Sequence, residues 1–498
     1  MSGYFHKQFS LALPARTPFR ELLRLSLAGA IFAVLLFVAG CTIGPKYAKP
    51  AAPAPAPDAY KEAGDFQPAQ PSDAAPRGNW WEVFQDPKLN DLEKQIDISN
   101  QNLKIAEAQY QQARAAVRYF RGSYYPVVGV NPAASRVGQS QNKALYGPGS
   151  ATDYSDLLLP VDISYEPDVW GQVRRTVESA RAEAQATAAD LATVNLSLHA
   201  ELAMDYFELR GLDTEEQLLN STVEAFENSV KLTQDRFKGG LASEVDVAQA
   251  QTQLETTRAQ SIDIAVQRTA FEHAIGVLIG QPASGFALSF SPLLAPPPPV
   301  PPGLPSQLLE RRPDIAAAER RVDAANAQIG VAKTAYYPSI TLAASGGFES
   351  STLTNLLSGP SGLWAFGASA LETIFEGGRR HAITAQAQAA FDQSVASYRQ
   401  TVLTAFQEVE DNLAAQRILQ QETVTEDAAV AAAQRSLALS NNRYTGGVTS
   451  YLEVITAQSA ALANERAAAD ILTRRAVASV LLIKALGGGW DVSSLPAD

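Results

Sequence analysis

The chain has 498 residues, of which 46% are hydrophobic and 18% charged, a composition that predicts a folded protein rather than a disordered one. Its formal net charge is −12, which argues against nucleic acid as a partner because phosphate binding requires a basic face. The four histidines and the one cysteine show no ligand-type spacing, so the sequence predicts no metal site, no cofactor and no Cys/His catalytic pair.

A lipoprotein signal peptide is predicted over residues 1–40. Basic residues precede an apolar run at 25–38, which is too short to span a bilayer comfortably and is typical of a signal-peptide core. The run ends in the letters VAGC, which resemble a bacterial lipobox with Cys41 carrying N-palmitoyl and S-diacylglycerol groups. In the bacterial sorting pattern, an aspartate directly after the acylated cysteine keeps a lipoprotein from the outer membrane. This chain has Thr42 at that position, so delivery to the outer membrane is expected. An ordinary export signal with an incidental cysteine is the alternative.

Two proline-rich segments divide the mature chain. Residues 41–78 predict an acylated, extended tether, because a stretch rich in Ala and Pro sustains neither a helix nor a central strand. Residues 295–305 predict a linker, with a ligand for an SH3-type domain as the alternative. We therefore expect a first repeat at 79–294, a second repeat at 306–490 and a C-terminal tail at 491–498.

The two halves of the chain repeat each other. Residues 235–240 read DRFKGG and residues 442–447 read NRYTGG. A Tyr-Tyr-Pro motif likewise occurs once in each half, at 124–126 and at 336–338. An internal two-fold duplication is predicted.

Each half shows the same predicted order of elements. A helix-forming stretch, at 89–121 and again at 314–335, stops at the Tyr-Tyr-Pro motif because the residue before a proline is pushed toward extended dihedrals. Alternation of apolar and polar residues then predicts strands at 161–166 and, more weakly, at 340–345. A Gly- and Ser-rich loop separates each strand from its partner, so each half contributes one hairpin.

Very long helices are predicted after the hairpins. Residues 172–238 contain no proline and a single glycine, and residues 379–445 contain neither. Each stretch predicts a helix of roughly 100 Å, at a rise of 1.5 Å per residue. A Gly-Gly pair then turns the chain into return helices, at 241–275 and at 448–486. Helices of this length predict coiled-coil packing.

The predicted strands cannot close a barrel within one chain, and a lipid-exposed sheet edge is not tolerated. Three chains would supply twelve strands, an even number within the range of outer-membrane barrels. The predicted fold is therefore an α+β membrane protein: long coiled-coil hairpins form a periplasmic helical barrel, and four strands per chain enter a trimeric transmembrane β-barrel. Aromatic residues near strand ends are candidates for an interfacial girdle, with packing in a soluble β-layer as the alternative: Tyr165, Trp170, Trp364 and Phe366.

Six short motifs lie in order along nearly the whole mature chain: 41–47 (CTIGPKY), 80–89 (WW with Phe84, Asp86 and Leu89), 308–315 (LLERRPDI), 375–379 (FEGGR), 443–447 (RYTGG) and 484–490 (KALGGGW). Together they resemble the outer-membrane efflux lipoproteins of the TolC family, of the OprM/NodT type. The resemblance implies a homotrimer in the cell outer membrane that spans it, is lipid-anchored and extends into the periplasm. It also implies a passive exit duct for drugs or other small molecules, which arrive from an inner-membrane RND transporter through a periplasmic adaptor (membrane fusion) protein.

The resemblance places a gate at the tips of the helical hairpins. Tyr444 matches an aromatic latch, Leu452 an apolar constriction and Glu453 a position that carries an acidic gate residue. The OprM-type pattern has an aspartate where this chain has Thr456 and an arginine where it has Ser459. We therefore expect three copies of Glu453 to replace the usual aspartate ring and to attract cations. Glu453 as an ordinary surface residue is the alternative.

The first tip is expected to take part as well. Glu244 and Asp246 are candidates to join the acidic gate. The two Gly-Gly turns are the expected docking surface for adaptor tips, because glycine adopts conformations that cost other residues steric strain. The residues of these turns are Phe237, Gly239, Gly240, Tyr444, Gly446 and Gly447.

No catalytic constellation is visible, so an enzyme is not expected. Paired acids such as Glu408 and Glu410 lie on predicted helix surfaces and are interpreted as solvated faces. A duct for protein secretion and a pore-free coiled-coil scaffold across the periplasm are the alternative functions. The strands at 161–166 and 340–345 argue against the scaffold, which has no use for hairpins of barrel length.

Overall fold

A computed structural model describes residues 42–53, 59–63, 78–142, 147, 151–293, 295–300 and 308–496. The predicted signal peptide and Cys41 lie outside the described residues. The chain divides into two compact units. The sheet unit contains the residues up to 46 together with 118–179 and 326–388, and the helical unit contains 47–117, 180–325 and 389–498.

The helices follow the predicted order. They are α1 (Pro87–Ser99), α2 (Gln101–Arg121), α3 (Gln172–Lys238), α4 (Glu244–Leu278), α5 (Pro313–Thr334), α6 (Arg379–Thr445) and α7 (Tyr451–Ala485), with a single turn at Leu308–Arg311. The two long helices, α3 and α6, each have 67 residues and coincide with the predicted stretches. The return helices α4 and α7 begin later than predicted, because Gly240 and Gly447 form left-handed turns with φ of 72° and 73°. None of the helices in the described ranges is long and apolar enough to cross a membrane.

A break at Asn100 divides the helix that was predicted over 89–121. The buried Asn100 side chain accepts a hydrogen bond from the backbone N–H of Leu103 (2.9 Å) and so caps α2. Its amide Nδ2 donates to the carbonyl of Leu278 (2.7 Å) at the end of α4. One side chain thus satisfies the otherwise unpaired backbone groups of two helix ends.

The strands form one antiparallel sheet. They are β1 (Val127–Val130), β2 (Ala133–Gly138), β3 (Asp153–Tyr165), β4 (Ser339–Ser350) and β5 (Gly362–Leu371), in the order β1-β3-β4-β5, with β2 also paired to β3. The first strand position is split into β1 and β2 around Pro132, which lacks the N–H that a ladder requires. The described sheet therefore has four strand positions, two from each half of the chain, as predicted.

One face of the sheet is apolar. Residues directly opposite each other share a face, and the register sets Val161 against Gly346 and Gly346 against Trp364. The large apolar residues of that face are Val128, Val130, Leu157, Leu159, Val161, Ile163, Tyr165, Ile340, Leu342, Phe348, Trp364 and Phe366. The opposite face carries polar residues that include Asp156, Asp162, Ser164, Thr341, Ser345 and Ser369.

The apolar face is uncovered within the described chain. Trp364 and Phe366 are 76% and 79% exposed, and their rings stack with centroids 5.8 Å apart. Trp170 differs from these two, because its indole N–H donates to the Pro338 carbonyl (2.8 Å) at the base of the sheet. A single-layer sheet with an uncovered apolar face is not a stable arrangement in water, whereas lipid can cover such a face.

The core of the helical unit is built around large buried side chains of its helices, among them Trp80, Tyr206 and Tyr398. The buried Asp213 pairs with two arginines. Both oxygens of Asp213 are used: Arg268 Nε donates to one (2.7 Å), while Arg210 Nη1 and the backbone N–H of Ser291 donate to the other (both 2.9 Å). These bonds hold the segment that follows α4 against α3.

Glu408 is about half exposed (47%), as expected for a helix surface, but both acids of the pair Glu408 and Glu410 also make hydrogen bonds to other segments. Glu408 accepts from the buried guanidinium of Arg312 (2.6 Å). Glu410 accepts from the backbone N–H groups of Lys61 and Glu62 (2.8 and 2.9 Å). Both carboxylates therefore join segments that are distant in sequence.

Candidate functional site

A small hydrophobic cluster joins four helices near the two turns predicted as tips. Its buried members come from the end of α3, the start of α4, the end of α6 and the start of α7: Phe226, Val230, Ala250, Leu254, Tyr444, Tyr451 and Val454. This tip cluster is separate from the main core, so the tips are held by few apolar contacts. Regions of this kind open at lower free energy than the core.

Tyr444 lies at the centre of the tip cluster. It is 4% exposed, and its ring meets that of Tyr451 edge to face at 5.2 Å. The guanidinium of Arg236, at the end of α3, lies 4.8 Å from the Tyr444 ring centroid and donates to the Thr445 carbonyl (3.0 Å). Tyr444 therefore joins the first tip to the second inside one protomer, and its ring does not line the outer surface.

The other residues predicted for the second tip share one exposed face of α7. Leu452, Glu453, Thr456 and Ser459 are all exposed, and their spacing of three and four residues keeps them on one side of a helix. Thr456 Oγ1 donates to the Leu452 carbonyl (3.0 Å) within the helix. The structure thus places on one exposed face of α7 the residues predicted as an apolar constriction (Leu452) and an acidic gate position (Glu453), together with Thr456.

The acidic positions of the two tips are equivalent in the repeat but have different partners. Ser243 and Asp246 form a complete capping box, in which the Asp246 carboxylate accepts from the Ser243 N–H and hydroxyl (both 2.9 Å). Ser450 and Glu453 have the same spacing, yet Ser450 makes no side-chain cap. Glu453 pairs instead with Arg443 (3.4 Å), and both side chains are about half exposed at 46% and 56%. Asp246 is thus committed to capping, whereas Glu453 is available at the surface.

The turns present apolar side chains to the outside. Gly240 and Gly447 adopt positive φ, and Gly239 and Gly446 precede them in the two turns. Glu244 is exposed in the first turn of α4. The exposed apolar residues around the turns are Phe237, Leu241, Val245, Val448 and Leu452.

A buried Glu–His pair lies between α1 and α3 and was not predicted from the sequence. His199 Nδ1 lies 2.7 Å from a Glu93 carboxylate oxygen, and its Nε2 lies 3.3 Å from Asp97. The ring of Trp81 stacks on His199 at 4.3 Å. Burial raises the pKa of Glu93 from its ordinary 4.5 to about 7, although the hydrogen bond from His199 opposes the rise. The pair joins two residues that are distant in sequence, so no local motif predicts it.

We expect ionisation of Glu93 to lower the stability of the protein as the pH rises from 4.5 to 7. The folded state keeps a proton on Glu93 that the unfolded state releases in this window, so Glu93 weakens folding by about 1–3 kcal/mol once it ionises. Asp205 contributes in the same direction, because burial and then Glu201 and Glu208 raise its pKa to about 7. The thermal midpoint of Glu93→Gln at pH 5 and pH 8 should differ less than that of wild type, and Asp205→Asn should remove part of the remainder. An unchanged pH slope in Glu93→Gln would contradict the assignment.

The fold and the tips together define the class of protein. The chain combines strands that have one apolar face, which lipid can cover, with very long helical hairpins. The family model described as outer membrane efflux protein matches residues 92–281 and 304–488. The chain belongs to the outer membrane efflux protein family.

Individual relatives agree with this assignment. The chain is 34% identical over 474 residues to the probable efflux pump outer membrane protein SepC and to the toluene efflux pump outer membrane protein TtgF, both of Pseudomonas putida, covering 93% of this chain and 97% of each relative. It is similar to the solved outer-membrane channel OprN with a TM-score of 0.82 and 30% identity, covering 90% of this chain and all of the other. The chain is therefore an outer-membrane efflux channel with a TolC-like fold, located in the outer membrane and extending into the periplasm.

Proposed function

We propose that three copies of the chain form a passive exit duct, without catalysis or a cofactor. The observation that supports this most directly is the sheet of four strand positions with one apolar face. Among the described strands, β5 pairs only with β4, and β1 and β2 pair only with β3, so two sheet edges remain for neighbouring copies. Closure into a barrel removes such edges, which lipid does not tolerate.

The number of copies is tested by chemical crosslinking of the purified protein in detergent, followed by mass measurement. Three copies per assembly are expected, because that number supplies an even count of strands within the known range. A stable monomer or dimer would overturn the barrel that we propose.

We also propose two repeats at 79–294 and 306–490, a linker at 295–305 and acylation of Cys41.

We propose that the tips dock on a periplasmic adaptor, which connects the duct to an inner-membrane RND transporter. The exposed apolar residues at the turns support this. Phe237, Leu241 and Val448 are exposed to solvent, and exposed apolar patches are typical of protein–protein interaction sites. TtgF is named for toluene efflux, and we propose small organic molecules as the class of cargo for this chain. The energy for transport would come from the transporter, because the chain offers only a path.

We further propose that Leu452 and Glu453 narrow the duct at the tips, with Glu244 and Thr456 beside them. Three half-exposed Glu453 carboxylates near an axis would attract cations, and Arg443 at 3.4 Å would partly offset each charge. Glu453→Gln is therefore expected to lower the cation preference of single channels. Arg443→Gln is expected to raise it, because it removes the compensating charge. Reversal potentials in a salt gradient measure both effects.

The two variants control for each other. Each breaks the same half-exposed ion pair, which contributes about 0–1 kcal/mol of stability, so a nonspecific structural effect would move both in one direction. Opposite shifts in reversal potential support the gate. A Glu453→Gln channel with wild-type cation preference would overturn the assignment of Glu453.

A further inference from the structure

Residues 43–45, which follow the predicted acylation site, lie in a seat on the sheet unit. The backbone N–H of Ile43 donates to the Trp170 carbonyl (3.2 Å). Arg175 Nε donates to the Ile43 carbonyl (3.2 Å), and its Nη2 donates to the Pro45 carbonyl (3.0 Å). Arg175 is only 5% exposed, so one buried guanidinium grips this short segment at two points.

Two glycines allow the close approach. Gly44 has φ of 111°, and a Cβ on it would lie 2.6 Å from the Cα of Gly330 in α5. A Cβ on Gly330 would in turn lie 2.9 Å from Cγ of Arg175. The buried Asn326 also donates to the Pro45 carbonyl (3.3 Å). We name the site formed by Trp170, Arg175, Asn326 and Gly330 the Gly44 seat.

The Gly44 seat lies at the base of the sheet. The ring of Trp170 stacks on Tyr337 at 4.9 Å, and its indole N–H donates to the carbonyl of Pro338, the residue before β4 begins. Cys41 precedes Ile43 by two residues, and two residues of extended chain reach at most about 7 Å. Acyl chains on Cys41 would therefore be attached within about 7 Å of Ile43, whose N–H donates to the Trp170 carbonyl.

We propose that the Gly44 seat positions the lipid anchor, so that the acyl chains of Cys41 enter the periplasmic leaflet of the outer membrane beside the base of β3 and β4. The proposal rests on acylation of Cys41 and on the proposed duct. A flexible tether would leave the position of the lipid anchor relative to the strands undefined. The Gly44 seat instead fixes the anchor beside the strands, so the acyl chains and the base of the strands lie at the same depth in the membrane.

Limited trypsin digestion of the purified protein in detergent tests the seat, because exposed Lys46 follows it directly. Cleavage after Lys46 should be slow in wild type. Arg175→Ala removes two charge-assisted hydrogen bonds and should accelerate cleavage by roughly tenfold or more. Gly44→Ala should do the same through its collision with Gly330, and it carries the test if Arg175→Ala fails to fold.

Two control variants match these changes. Arg174→Ala removes the neighbouring arginine, whose guanidinium pairs with Asp168 (2.9 Å). Gly78→Ala introduces a side chain at a similar positive φ of 85°, where no atom lies within 4 Å of the new Cβ. Both are expected to be cleaved after Lys46 at the wild-type rate.

The outcomes separate the seat from the function on which it rests. Equal cleavage rates in wild type, Arg175→Ala and Gly44→Ala would overturn the seat. The mass of the released peptide shows whether Cys41 is acylated, and a peptide without acyl chains would overturn the role in anchoring. Conductance of the same preparation reports the duct independently of both results.

Discussion

Replacing Tyr444 by alanine is expected to increase the open fraction of the channel by at least about tenfold. The ring is 4% exposed and is packed between Tyr451 and Arg236. Truncation of a buried aromatic side chain costs about 3–5 kcal/mol, and about 1.4 kcal/mol already changes an equilibrium tenfold. Because Tyr444 joins the end of α3 to the end of α6 and the start of α7, its loss should separate the two tips. Conductance in planar bilayers at fixed protein amount measures the effect.

Tyr444→Phe is the matched control for this prediction. It keeps the ring and removes only the hydroxyl, which is buried and has no hydrogen-bond partner within the described chain. Loss of such a group costs little or stabilises slightly, so Tyr444→Phe should conduct like wild type. If Tyr444→Ala and Tyr444→Phe both behaved like wild type, the tip cluster would not control opening.

Replacing Asp213 by alanine is expected to lower the free energy of unfolding of the helical unit by about 3–5 kcal/mol. Asp213 is fully buried, and its loss leaves the guanidinium groups of Arg210 and Arg268 without their shared carboxylate. The backbone N–H of Ser291 also loses its acceptor (2.9 Å). Thermal unfolding followed by circular dichroism measures the loss, and faster proteolysis near Ser291 should accompany it.

An exposed ion pair provides the control for Asp213. Glu255 pairs with Arg258 at 2.8 Å, but the two side chains are 65% and 41% exposed. Glu255→Ala should therefore change the free energy of unfolding by less than about 1 kcal/mol. Equal losses in Asp213→Ala and Glu255→Ala would show that burial of the charge network is not what stabilises this region.

The elements with strong local signals were predictable from the sequence. The ends of α3 and α6 were predicted correctly because absence of proline and a closing Gly-Gly pair are properties of the chain itself. The sheet of four strand positions followed from alternation at 161–166 and 340–345, although β3 and β4 extend well beyond those residues. Where the alternation of apolar and polar residues weakens, the sequence does not show where a strand ends. The strand itself continues as long as its backbone pairs with a neighbouring strand.

Features that depend on distant partners were not predictable. The break at Asn100 requires the carbonyl of Leu278. The raised pKa of Glu93 comes from its burial in the folded protein, against the opposing hydrogen bond with His199. At the tips, Ser450 and Glu453 have the same spacing as the capping box of Ser243 and Asp246, but Glu453 pairs with Arg443 instead. Such competition between local and distant partners is decided by packing, so a motif alone does not reveal it.

Single-channel recording of the purified protein in a planar bilayer tests the central claim most directly. The proposed duct predicts small, cation-preferring openings in wild type and larger, more frequent openings in Tyr444→Ala at the same protein amount. Absence of conductance in both proteins, with both inserted in the bilayer and neither forming trimers, would contradict the duct.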